Sequence, residues 1–148
     1  MIDKKFIGSE TPVRTFEVER YPIRCFARAI GETNPIHSDE AAAQRAGFRS
    51  LVAPPTFAFC VNMMASDAAL GQLFREMGVS FLNLLHGEQS FTYHQPIVAG
   101  DVLTLRSRIV DVYEKKGGAL GFVVFETAVA NERGERVVDL RNVSVVRN

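Results

Sequence analysis

Hydrophobic positions along the chain follow two periods. Between residues 21 and 65 they recur at helical spacing. Ile23, Phe26, Ala27 and Ile30 predict an amphipathic helix over 21–30, with Pro22 suited to its first turn. Further on, Ser38 is a good N-cap, and Asp39 and Glu40 favour a first helical turn. Ala41-Ala42-Ala43-Gln44-Arg45-Ala46 then carries strong helix propensity up to a natural stop at Gly47. From Thr56 to Ala65 the pattern changes again. This stretch is apolar on nearly every side, with Pro55 at a first helical position, so it predicts a helix buried under a cover rather than one facing water. Met63 and Met64 are expected in its core packing. Ahead of all these, Val13–Glu19 alternates as a short strand, and residues 1–12 read as a polar surface segment.

From residue 81 the period falls to two. Gln89, Phe91 and Tyr93 face one way, and Glu88, Ser90, Thr92 and His94 the other, with Gly87 marking a bulge. Pro96 and Gly100-Asp101 turn the chain into a long strand over 102–114. Lys115-Lys116-Gly117-Gly118 is a hairpin turn, 120–130 a second strand, Asn131–Gly134 another turn and 136–146 the last strand. An antiparallel meander after a helical first half is an α+β pattern, and the curved sheet is the expected cover of the buried helix. No repeat, low-complexity segment or linker interrupts the chain, so a single domain over 1–148 is expected.

Composition narrows the function. The 148 residues are 47% hydrophobic and 23% charged, with formal net charge zero, as in ordinary globular domains. No basic run or stripe appears, so nucleic acid is not an expected partner. Cys25 and Cys60 lie within apolar stretches and read as small buried hydrophobes, not as a disulfide or metal framework; no metal or cofactor is expected. The start lacks the apolar region of a signal peptide, and Leu51–Ala65 is too short and Pro-interrupted to span a bilayer; the expectation is a cytoplasmic protein with no membrane association.

The candidate chemistry sits in Gly31-Glu32-Thr33-Asn34-Pro35-Ile36-His37-Ser38. Asn34-Pro35 cannot continue a helix, so residues 31–38 form a fixed loop carrying a carboxylate, an amide and an imidazole. Histidine exchanges protons near neutrality, and a nearby carboxylate can orient it or share a water. The plainer alternative is a loop histidine bonded to a backbone carbonyl. Elsewhere the bland readings prevail. His86, Glu88 and His94 suit a solvated strand face, and Asp101 a turn; Arg49 is a lone candidate for a phosphate contact.

One buried helix wrapped by a long antiparallel sheet describes the hot-dog fold. The loop Gly31–His37 resembles the Gly-Asp-x-Asn-Pro-hydrophobic-His motif of MaoC-like (R)-specific enoyl-CoA hydratases and 3-hydroxyacyl dehydratases. Ala53-Pro54-Pro55-Thr56-Phe57, Leu85-His86-Gly87-Glu88-Gln89 and Pro96 through Asp101 resemble the FAS1-like dehydratase branch. The resemblance covers roughly residues 5 to 147. It implies hydration of a trans-2-enoyl thioester, or dehydration of a 3-hydroxyacyl thioester, carried on coenzyme A or acyl carrier protein. It places His37 and Glu32 at the catalytic positions, with Asn34 bracing the loop. Backbone N–H groups at the start of the buried helix, from Thr56 or Phe57, would meet the thioester carbonyl. It also implies a homodimer, or a heteromer with another hot-dog subunit.

Two departures from the pattern stand out. Glu32 is longer than the expected Asp by one carbon–carbon bond, about 1.5 Å. Pro55 stands where active relatives usually have a glycine that donates its N–H, and proline has none. A second reading therefore remains: a non-catalytic, acyl-binding subunit beside a catalytic partner. A thioesterase is the third, but Thr56–Ser66 holds no carboxylate and Asp67 comes only past its end.

Overall fold

The structure, a computed structural model, describes residues 2–66 and 68–147, without the side chains of Ala68 and Ala69. Asp67 lies outside the described residues. In chain order the elements are β1 (Arg14–Glu17), α1 (Arg20–Ala29), α2 (Glu40–Arg45), α3 (Phe57–Met64), α4 (Ala68–Glu76), β2 (Leu84–Tyr93), β3 (Val102–Lys115), β4 (Leu120–Ala130) and β5 (Arg136–Arg147). The strands form a five-stranded antiparallel sheet in the order β1-β3-β4-β5-β2, curved around α3, which is the hot-dog architecture.

The meander holds for β3, β4 and β5 but not for β2, which lies against β5 at the far edge. The cause is the segment that follows it. Ala53 N–H donates to Ile97 O at 2.8 Å and Ala99 N–H to Leu51 O at 2.9 Å. The chain leaving β2 is thus stitched to the entrance of α3 and carried across the sheet before β3 begins.

Alternation sets the core. Rows of inward residues cross the sheet, such as Leu105–Val129–Val138 and Ile109–Phe125. Against the first packs α3, through Phe57, Ala58 and Val61, with Phe26 of α1 meeting the Phe57 ring edge-on at 5.5 Å. Against the second packs α4, through Phe74, followed by Met77 and Val79. The hydrophobic pattern does not mark this helix, because Gly71 and mixed apolar spacing obscure it.

Several local expectations are corrected. Met63 is 54% exposed and Met64 47%, because α3 runs out past the core before its last turn. Cys25 is exposed on the outer face of α1, one turn from the exposed Tyr21. Cys60 is half-buried, and burial raises its thiol pKa. Asp39, not Ser38, caps α2, its Oδ1 accepting from Ala41 N–H at 2.9 Å. Ser38 instead closes the tight turn Pro35–His37, donating its backbone N–H to Pro35 O at 3.0 Å. Gly87 does mark a bulge, with the register shifting between His86 and Glu88; a Cβ there would lie 2.6 Å from Val145 Cγ2.

Candidate active site

Local chain geometry builds the loop. Gly31 adopts φ +72°, a left-handed conformation that ends α1 without the strain a side chain would bring. Glu32 then folds back on its own backbone. Its Oε1 accepts from Thr33 N–H at 2.8 Å and Asn34 N–H at 2.9 Å. Asn34 does the same one step on, its Oδ1 accepting from Ile36 N–H at 3.2 Å. Two polar side chains therefore satisfy the N–H groups of a turn that proline interrupts. The Asn34 N–H above all, and also the Thr33 N–H and the nearby His37 ring, hold the Glu32 carboxyl below its ordinary pKa, against an opposing desolvation effect.

His37 is treated differently. It is 7% exposed, and its Nδ1 lies 2.6 Å from Val52 O. A carbonyl only accepts, so Nδ1 carries a proton, and in the neutral ring the lone pair is on Nε2. Val52 is held from both sides, since its own N–H donates to Ile36 O at 3.1 Å. His37 lines an open pocket of about 530 Å³ with Pro54, Pro55, Tyr93 and His94. The ring thus lines a mostly apolar recess, and in its neutral form Nε2 is the nitrogen that can take a proton.

The remaining candidates are placed plainly. Glu32 and Asn34 are exposed and outside the pocket wall; Glu32 reaches His37 through charge, not through a hydrogen bond. Phe57 is a core residue, and its N–H is spent on Pro54 O at 2.9 Å. Thr56 is exposed at the N-cap of α3, and no partner for its N–H occurs among the described residues. Of the two N–H groups considered for the thioester oxygen, only that of Thr56 is open. Arg49 is occupied by Asp101, which it contacts closely, and by Glu132 at 3.9 Å. Asp101 also accepts from Val98 N–H at 2.8 Å, which fixes the turn, and burial raises its carboxyl pKa.

His94, set aside in the sequence as a solvated strand position, lies on the wall of the His37 pocket. Its Nε2 is 2.8 Å from Asp139 Oδ2. The clue was its place just past the end of a strand, ahead of Gln95-Pro96, where the chain is diverted toward α3. His86 is also re-aimed. The bulge turns its ring onto Phe59, stacked at 5.0 Å, so His86 and Glu88 do not share a face. Among the described residues no group of three or more His, Cys, Asp or Glu is placed to hold a metal ion. No described helix is long and apolar enough to cross a membrane.

Known proteins share this fold. The model of the FAS1-like, dehydratase domain region matches residues 5–140. A UPF0336 protein of Saccharopolyspora erythraea is 35% identical over 147 residues, 99% of this chain and 92% of the relative. Among solved structures, the C-terminally truncated HadBC (3R-hydroxyacyl-ACP dehydratase) complex from Mycobacterium tuberculosis matches with a TM-score of 0.78 at 30% identity, covering 95% of this chain and 96% of the other. A MaoC-like dehydratase matches at 28% identity with a TM-score of 0.81, over 97% of this chain but 42% of that longer one. The loop, the buried helix and these matches agree, and the chain belongs to the FAS1-like dehydratase-domain family of MaoC-like hot-dog proteins.

Proposed function

We propose that the protein is a hydro-lyase that adds water to trans-2-enoyl thioesters and removes it from (R)-3-hydroxyacyl thioesters. One observation carries the proposal: a buried His37, its Nδ1–H held by Val52 O, lines a pocket at the start of α3. In hydration, His37 Nε2 takes a proton from water as the water oxygen bonds to C3. The C2=C3 electron pair shifts to give the thioester enolate, whose oxygen is met by Thr56 N–H. The imidazolium then returns the proton to C2. Negative charge on Glu32 favours the imidazolium, while its hydrogen bonds hold the loop in place.

A second reading rests on Pro55, which has no N–H, and on the loss of Phe57 N–H to Pro54. With fewer donors at the helix start, the chain would act as the acyl-binding partner of a catalytic hot-dog subunit. The described surface suits pairing in either case. The edge strand β2 and the turn before it expose Leu82 (89%), Phe81 and Leu85, a pattern that an isolated edge does not tolerate well. The test is the loss of conjugated thioester absorbance from crotonyl-CoA and longer enoyl-CoAs, with the purified chain alone and with any co-purifying subunit. Turnover by the chain alone that His37→Ala abolishes supports the enzyme. Turnover only in the complex, insensitive to His37→Ala, establishes the supporting role.

A further inference from the structure

The entrance of α3 is short of hydrogen-bond donors. Pro55 has no N–H, and Phe57 N–H is spent on Pro54 O. Four polar side chains line the His37 pocket: His37, Tyr93, His94 and Gln95. Three of them are engaged. His37 Nδ1–H is held by Val52 O, His94 Nε2 lies 2.8 Å from Asp139 Oδ2, and Gln95 Nε2 donates to Arg136 O at 3.3 Å. The fourth, the Tyr93 phenol, has no hydrogen-bond partner among the described residues.

The fold sets Tyr93 on the pocket side of the sheet. It ends β2 in register with Val138, a buried residue of the inward row that lines the same pocket. Side chains paired in register on neighbouring strands share a face. The Tyr93 ring stacks on Phe91, two residues back on that face, at 5.5 Å with 8° between the planes. Phe91 packs in turn on the cluster under α3. The chain beyond Tyr93 is stitched to the start of α3 by the bond from Ala53 N–H to Ile97 O, which brings the ring to the pocket that Pro54 and Pro55 line. At 48% exposed, Tyr93 is open to an entering ligand. Its partial burial pushes the phenol pKa above the ordinary value, so the group is a donor at neutral pH.

We infer that Tyr93 is a catalytic residue of this site, its phenol O–H donating to the thioester carbonyl oxygen in place of the N–H that Pro55 lacks. The inference deepens the thioester reading and rests on it for the ligand. The phenol keeps its proton throughout. It donates to the carbonyl oxygen of the bound enoyl thioester, and more strongly to the enolate oxygen formed as water adds at C3. A bond that strengthens as charge develops lowers the barrier more than it tightens binding, so its loss falls on kcat rather than on KM.

The test is Tyr93→Phe, which removes the oxygen and keeps the ring on Phe91, in the intact protein with any co-purifying subunit. Its urea midpoint is expected to match wild type, since the phenol has no partner in the fold to lose. Two readouts follow the bond. The first is the absorbance of bound 2,4-hexadienoyl-CoA, a conjugated thioester whose band moves to the red when its carbonyl accepts a hydrogen bond. A red shift in wild type that shrinks in Tyr93→Phe, with the ligand still bound, is expected. The second is crotonyl-CoA hydration, in which kcat is expected to fall about a hundredfold with KM nearly unchanged, the scale for one lost oxyanion donor. Pro55→Gly in the same background returns an N–H to the helix start and is expected to recover part of that loss. An equal shift in both proteins, or an unaltered kcat, overturns the inference, as does the absence of ligand binding to folded protein. The two readings fail separately. A Tyr93-dependent shift in protein that hydrates nothing keeps the contact and removes the hydro-lyase, whereas hydration indifferent to Tyr93→Phe does the reverse.

Discussion

At one end of α3 two histidines, His37 and His94, line an apolar recess; at the other, a polar seam of hydroxyls, amides and a guanidinium crosses an apolar cavity. The two regions use buried polarity in opposite ways. Among the described residues His37 has a hydrogen-bond partner at one ring nitrogen, Val52 O. The seam residues satisfy one another, Arg14 to Ser107 and Ser107 to Thr127. A half-satisfied group leaves polarity open to a ligand, whereas a mutually bonded network ties packed elements together.

The contrast is broken most directly at His37. His37→Ala is expected to lower kcat/KM for crotonyl-CoA by about a hundredfold or more, the usual contribution of a positioned acid–base group, with secondary structure by circular dichroism unchanged. Unaltered turnover would move the chemistry off this residue.

At the other end the effect should fall on stability. Ser107→Ala removes the acceptor of an Arg14 hydrogen bond and the partner of Thr127. Destabilisation of about 2 kcal/mol is expected in urea unfolding, the scale for a buried bond to a charged group. A change near zero would mean that the seam does not bind the sheet together. Gly87→Ala tests the bulge that turns His86 onto Phe59. The added Cβ meets Val145 Cγ2 at 2.6 Å and Val143 O at 3.0 Å, so a loss of about 1–3 kcal/mol is expected, together with a changed His86 ring resonance.

The smallest effect concerns pH. Glu40 accepts from Arg20 and Ser50, and these bonds, that of Arg20 first, hold its pKa below the ordinary 4.5. A carboxylate whose folded pKa is depressed contributes stability above the unfolded value and loses it as pH falls through the folded one. Glu40→Gln, and equally Glu32→Gln in the Gly31–His37 loop, should therefore flatten the fall in stability below about pH 4.5, leaving the slope above it unchanged. Thermal melts across that range read the slope.

The sequence by itself determined the elements with strong periods and the loop between them. Residues 21–30, the apolar helix after Pro55 and the strands after residue 101 are legible because side-chain spacing reports which faces are buried. The loop is legible because Asn34-Pro35 forbids a helix where Glu32 and His37 are placed. The tertiary structure decided what spacing does not encode. It set β2 against β5, because backbone bonds between residues 51–53 and 97–99 divert the chain. It turned Glu32 onto the N–H groups of its own loop and assigned the basic nitrogen of His37 through Val52, a partner fifteen residues away. It exposed Met63, Met64 and Cys25, since helix length and the reach of the sheet, not hydrophobicity, decide where cover ends. It also brought Arg14, Asn62, Ser107, Thr127, Asn142 and Ser144, from β1, α3, β3, β4 and β5, onto one cavity, because the curvature of the sheet, not the spacing within any strand, sets which of them meet.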